Sequence, residues 1–195
     1  MHNNHPQIIQ TMLSPETVIA QTKKWITDVV VGCNFCPFAA REVNRESIYY
    51  EVVEDGHLKT VLETLARAFT RMDSEAGVET LFLIMPHSFA SFDAYLQLVE
   101  VSEKLLEKSG YEGVYQIASF HPEYLFAGAA KSDPANYTNR SPHPMLQLLR
   151  EESLTAAIDR YPDTATIPEH NIAFARKKGL KQMQELREGC MKGNA

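Results

Sequence analysis

The chain has 195 residues, 44% of them hydrophobic and 23% charged, with a formal net charge of −6. That length and balance suit one globular domain with an ordinary core, and the negative charge opposes non-specific nucleic-acid binding, which needs a positive field along a phosphate backbone. No apolar run approaches a membrane span, and Met1-His2-Asn3-Asn4-His5 lacks the basic-then-apolar order of a secretory leader, so the expectation is a cytoplasmic protein without a membrane or nucleic-acid partner.

Three cysteines, only two of them close in sequence, make no disulfide framework, and Arg176-Lys177-Lys178 with Lys181 reads as a solvated helix face. A single domain over 1–195 is expected, with 1–13 a poorly ordered tail.

Ser14-Pro15-Glu16 is a helix-start signal, and Val18, Thr22, Trp25, Ile26, Val29 and Val30 repeat at helical spacing up to Gly32. Ser47 to Val53 is rich in β-branched and aromatic residues and ends at the Asp55-Gly56 turn, which predicts a first strand. Leu58, Val61, Leu62, Leu65, Ala66, Phe69 and Met72 form the stripe of a helix lying on a sheet. Val78 to Met85 is nearly continuous apolar sequence closed by Pro86, as in a strand covered on both faces. A third helix is predicted from about Ser91 to Ser109 with Gly110 as its cap, and a third strand from Val114 to Phe120.

Three strands separated by two helices predict an α/β fold: a small, mainly parallel sheet with a β-α-β-α-β core, flanked by helices, with an N-terminal helix and a C-terminal helical region. The latter is expected to begin at Ser141-Pro142, to run through Met145, Leu146 and Leu149, and to break at Tyr161-Pro162 before a last helix from Pro168 to about Glu188.

In open parallel sheets ligands bind outside the carboxyl ends of the strands. His87 and His121 directly follow such ends, where an imidazole can act as acid or base, or can simply cap a loop. Asn136 to Pro144 follows the third strand and is expected to open a helix. Its free N–H groups, with the Arg140 guanidinium, suit a small anionic ligand. The plain alternative is a loop in which Asn139 and Ser141 cap the helix and Arg140 pairs with an acid such as Glu123.

Cys33-Asn34-Phe35-Cys36-Pro37-Phe38 admits several readings. The spacing suits a redox dithiol, but a helix precedes it where the thioredoxin type has a strand. Zinc would need a second ligand pair that the sequence lacks, so no metal and no cofactor are expected. Cys36 could instead cap a short helix starting at Pro37, a place that lowers a thiol pKa, with Arg41 one turn along. Both cysteines could also be small hydrophobes beside Phe35 and Phe38. If the first helix runs antiparallel to the first strand, its Gly32 end lies at the rim opposite His121.

Gly32-Cys33-Asn34-Phe35-Cys36-Pro37-Phe38-Ala39, Ser119-Phe120-His121-Pro122-Glu123-Tyr124 and Asn136-Tyr137-Thr138-Asn139-Arg140-Ser141-Pro142, running into Leu148-Leu149-Arg150-Glu151, together resemble the signatures of a bacterial domain-of-unknown-function family, number 1415. The resemblance implies no activity. It points to Cys36, His121, Asn139 and Arg140 as motif positions, and to Cys33 as standing where the family has an aliphatic residue.

The functional expectation is a small-molecule enzyme or ligand-binding protein. Arg140, Asn139 and the Ser141 helix start would hold an anionic group, His121 would serve as acid/base and Cys36 as nucleophile, with His87 and Arg41 nearby. The alternatives are a non-catalytic protein-interaction module, its partner unspecified, and a thiol redox protein using Cys33 and Cys36.

Overall fold

The structure is a computed structural model of the chain and describes residues 12–158 and 166–192. The expected break at Tyr161-Pro162 and nearly all of the expected tail lie outside the described residues.

Helix α1 spans Pro15–Trp25, with the Ser14 hydroxyl accepting from the Thr17 N–H at 3.3 Å. It continues as a π-helical turn, Ile26–Val31, that ends at Gly32. A Cβ at Gly32 would overlap the Asp28 carbonyl oxygen, so only glycine lets the chain leave the turn this tightly. Asn34 then takes the left-handed conformation, φ 55°, which a short polar side chain tolerates. Together they turn the chain back across the sheet into the short helix α2, Ala39–Asn44.

Strands β1 (Ile48–Val52), β2 (Thr80–Ile84) and β3 (Tyr115–Phe120) are joined by helices α3 (Leu58–Ser74) and α4 (Phe92–Lys108), in the expected order. Among the described residues four strands form one sheet in the order β1-β2-β4-β3. β1 and β2 are parallel, whereas β4 (Met145–Arg150) enters antiparallel to both β2 and β3. The α/β architecture therefore holds, and the three expected strands share one direction. The sheet is nonetheless mixed, because the predicted helix after Ser141 is instead β4, and helix α5 (Glu151–Ile158) starts only at Glu151.

The reason is the vacancy that α4 leaves by carrying β3 one strand position beyond β2. Met145–Arg150 fills it and satisfies ladder hydrogen bonds on both sides, which a helix could not. Its side chains alternate accordingly: Leu146 and Leu148 join one core, and Met145 the other. The predicted final helix is likewise two, α6 (Ile167–Lys178) and α7 (Leu180–Met191), broken at Gly179, where φ is +85°.

Each sheet face carries its own core. Leu81 and Leu83 of β2 meet Val61, Leu65 and Phe69 of α3 and Tyr95 and Leu98 of α4. Phe82 and Ile84, pointing the other way, meet Val18, Trp25, Ile26 and Val29 of the first helix, with Ala175 of α6 and Met183 of α7. Each such buried side chain contributes about 1.5–3 kcal/mol of apolar transfer energy. No described helix is long and apolar enough to cross a membrane.

Candidate ligand cavity

The second face of the sheet is not completely filled. A cavity of about 470 Å³ lies between the sheet, the π-helical turn and the Phe35–Arg41 loop, within the usual size of small-molecule sites. Its walls are mainly apolar and aromatic: Trp25, Phe35, Phe82, Ala118, Phe120 and Leu149 are representative. Period-two alternation aims these sheet residues at it, since Phe82, Ala118 and Leu149 lie on the face opposite Leu83, Ile117 and Leu148. Helices α5 and α6 close the remaining side through Leu154, Ala157 and Asn171.

Three residues singled out in the sequence line this cavity: Cys36, Arg41 and Asn139. Cys36 sits in the turn that leads into α2. The helix starts at Ala39 rather than at Pro37, but the Ala39 N–H donates to the Cys36 carbonyl at 3.2 Å, and the Phe38 and Ala39 amides also favour the thiolate. Burial outweighs those amides and pushes the thiol above its ordinary value, so the expected lowering is not the net effect. Arg41 is exposed, marks the cavity's solvent edge, and pairs with Glu42 at 3.4 Å. Asn139 donates weakly to the Ser119 carbonyl, 3.4 Å, and accepts from the Thr138 hydroxyl, 3.0 Å.

Two lining residues carry buried polar atoms without a partner among the described residues, the indole Nε1 of Trp25 and the amide Oδ1 of Asn171. Asn171 Nδ2 donates to the Phe35 carbonyl at 2.7 Å, which fixes which end of that amide is left unpaired.

His121, Arg140, Ser141 and His87 are not part of the lining. His121 is 0% exposed beneath Phe92 and Tyr95, with ring centroids 5.3 and 4.9 Å away. Its Nδ1 accepts from the Glu123 N–H (2.9 Å), leaving Nε2 to donate to the Phe89 carbonyl (2.8 Å). Both nitrogens are therefore engaged by backbone, and burial lowers the pKa, keeping the ring neutral. Arg140, 8% exposed, donates to the carbonyls of Tyr124 (3.0 Å) and Lys131 (3.2 Å) and lies over the Tyr137 ring. Asn136 clamps the same loop through Phe126 N–H and the Ala130 carbonyl.

The Ser141 helix start does not exist: Ser141 donates to the His143 carbonyl at 2.5 Å, and its own carbonyl accepts from Arg187 Nε at 2.9 Å. No orphan helix N–H groups are presented there. His87 is exposed, at the end of β2 beside His143. Cys33 is buried in the second core, and Cys33 and Cys36 are both free thiols. Among the described residues no group of three or more His, Cys, Asp or Glu side chains is placed to hold a metal ion.

Residues 17–185 match the family described as Protein of unknown function (DUF1415). The chain belongs to the DUF1415 family. No curated protein matches it, and no solved structure does. In this DUF1415 protein the three motif segments meet without converging on one set of reacting groups. The first forms a wall of the cavity, while His121 and Arg140 brace the 121–131 loop beside it. The sequence reading missed Trp25 and Ala118, because each looks like ordinary core on a helix or strand, and Asn171, because a polar residue on a helix looks like part of a solvated face. Only the crowding of aromatic residues around the Cys36 motif hinted at a shared wall.

Proposed function

We propose that this protein binds a small, mainly apolar molecule in the cavity over the second sheet face, with Cys36 as the one thiol among its lining residues. The observation that carries the reading is a cavity of about 470 Å³ walled by Trp25, Phe82 and Phe120 in an otherwise well-packed core. A mainly apolar concavity of this size, partly open to solvent, is the usual form of a small-molecule site. Binding is better supported than catalysis: burial keeps the Cys36 thiol protonated, and the His121 nitrogens are taken by backbone groups.

An anion-accepting role for Arg140 has less support, because backbone carbonyls hold its guanidinium. The experiment is an amide NMR screen with neutral bicyclic aromatic fragments. Shifts concentrated at Phe82, Ala118, Leu149 and Phe35 are expected; shifts scattered over the surface, or centred on Arg140, would count against the cavity.

A further inference from the structure

We infer that the open β1 edge of the sheet pairs with the same edge of a second copy of this chain, joining two sheets into one about a two-fold axis through Tyr50. The inference is independent of the cavity reading.

β1 and β3 are the two edges of the sheet. In a parallel pair, alternate residues turn their backbone groups towards the neighbouring strand. The Ser47 carbonyl accepts from the Thr80 N–H at 3.4 Å and the Val53 N–H donates to the Ile84 carbonyl at 2.8 Å, so Ser47, Tyr49, Glu51 and Val53 face β2. The N–H and C=O groups of Ile48, Tyr50 and Val52 therefore point away from the sheet, and among the described residues none of them has a partner. β3 differs: its outward Tyr115 N–H donates to the Tyr111 carbonyl at 3.1 Å, and its Ser119 carbonyl accepts from the Asn139 amide at 3.4 Å. Edge strands are commonly blunted by lysine, proline or a bulge. Ile48-Tyr49-Tyr50-Glu51-Val52 has none of these, and all five residues are half-buried.

Outward groups on every second residue are self-complementary in an antiparallel register centred on Tyr50. Tyr50 exchanges two bonds with the partner's Tyr50, Ile48 exchanges two with the partner's Val52, and symmetry repeats the latter at Val52, so every outward group is satisfied. On the second sheet face Ile48, Tyr50 and Val52, which already pack against that core, continue across the axis as one apolar row. On the first face Glu51 falls opposite the partner's Tyr49, the ring over which that protomer's Arg71 lies at 4.2 Å. A cleft of about 260 Å³ there has both Arg71 and Arg67 in its wall, and Arg67 donates to the neutral Thr64 hydroxyl at 2.7 Å. The single charge on the strand thus meets cations. Sliding the register by two residues one way sets Glu51 against the partner's Glu51, which repels, and the other way leaves Val52 unpaired.

Sedimentation equilibrium from about 1 μM to about 1 mM should show the mass rising from one chain to two. Hydrogen exchange should slow at the Ile48, Tyr50 and Val52 amides as the dimer forms. Glu51→Arg and Arg71→Glu should each weaken the dimer about tenfold, and an equal mixture of the two should restore it, because the mixed dimer again sets opposite charges face to face. Val52→Pro removes only an outward N–H, so it should stay folded by circular dichroism and be monomeric, whether or not the charge variants fold. A monomer at every concentration would overturn the inference, as would a dimer whose three edge amides exchange freely. So would slow exchange of those amides in a monomer, which would mean that the chain covers its own edge, a folded Val52→Pro dimer, or folded charge variants whose mixture associates no better than either alone.

Discussion

Replacing Ala118 by leucine tests whether the space over the sheet is a real cavity. Ala118 lies in β3 opposite Gln147 of β4 and lines the cavity on the same sheet face as Phe82 and Phe120. Leucine adds three carbons, which would gain about 2 kcal/mol if they filled empty apolar space, at roughly 0.8 kcal/mol per buried methylene. In a filled core the same change overpacks and costs about 1–3 kcal/mol. A cavity of about 470 Å³ has ample room for three carbons, so the expected outcome is unchanged or increased stability, up to about 2 kcal/mol, together with weaker binding of any cavity ligand. Urea unfolding followed by circular dichroism measures the first and titration the second. A loss of 2 kcal/mol or more at constant m-value would refute the reasoning, because it would mean that Ala118 already touches packed neighbours.

Other consequences are equally concrete. Burial pulls His143 down to about 4 from the ordinary 6.5, with His87 and Arg187 adding in the same direction. The folded state therefore favours the neutral ring: this contribution is complete above pH 6.5 and is lost as pH falls towards 4, about 3 kcal/mol in all. His121 is shifted the same way; His143→Asn should flatten the stability profile between pH 6.5 and 4, and an unchanged slope would contradict this. Arg140→Ala should cost about 2–3 kcal/mol in urea unfolding by freeing the Tyr124 and Lys131 carbonyls, and leave cavity affinity unchanged. Loss of binding with intact stability would restore Arg140 to the site. Tyr95→Phe should cost about 2 kcal/mol, since the hydroxyl donates to the Met145 carbonyl (2.7 Å) and accepts from the Phe120 N–H (2.9 Å). Cys36, with its thiol raised by burial, should alkylate more slowly at neutral pH than a free cysteine and more slowly still with the cavity occupied; mass mapping of the alkylated chain decides it.

Much of the fold was legible. Ser14-Pro15 placed the start of α1, and the continuous apolar run around Leu81–Ile84 marked a strand buried on both faces, as β2 is. Where the reading failed, a physical reason is at hand. Met145, Leu146 and Leu149 fit a helical stripe as well as a strand, because six residues, with only Gln147 and Arg150 polar among them, are too few to fix a period. What decides is the unfilled position between β2 and β3, a long-range fact.

The site was legible only in part. Cys36, Arg41 and Asn139 do line the cavity. His121 was correctly placed at a strand end, but Phe92 and Tyr95 of α4 fold over it and convert a candidate acid/base into a loop clamp. A cavity among apolar side chains leaves no mark in a sequence, since filled and unfilled cores use the same residues.

Energy transfer from Trp25 to N-phenylnaphthylamine, a neutral apolar fluorophore, tests the central claim most directly. Trp25 is the only tryptophan and lies in the cavity wall. The cavity requires saturable, one-to-one quenching of the tryptophan with sensitised probe emission, weakened in Ala118→Leu. No transfer, or transfer that never saturates and ignores that substitution, would contradict it.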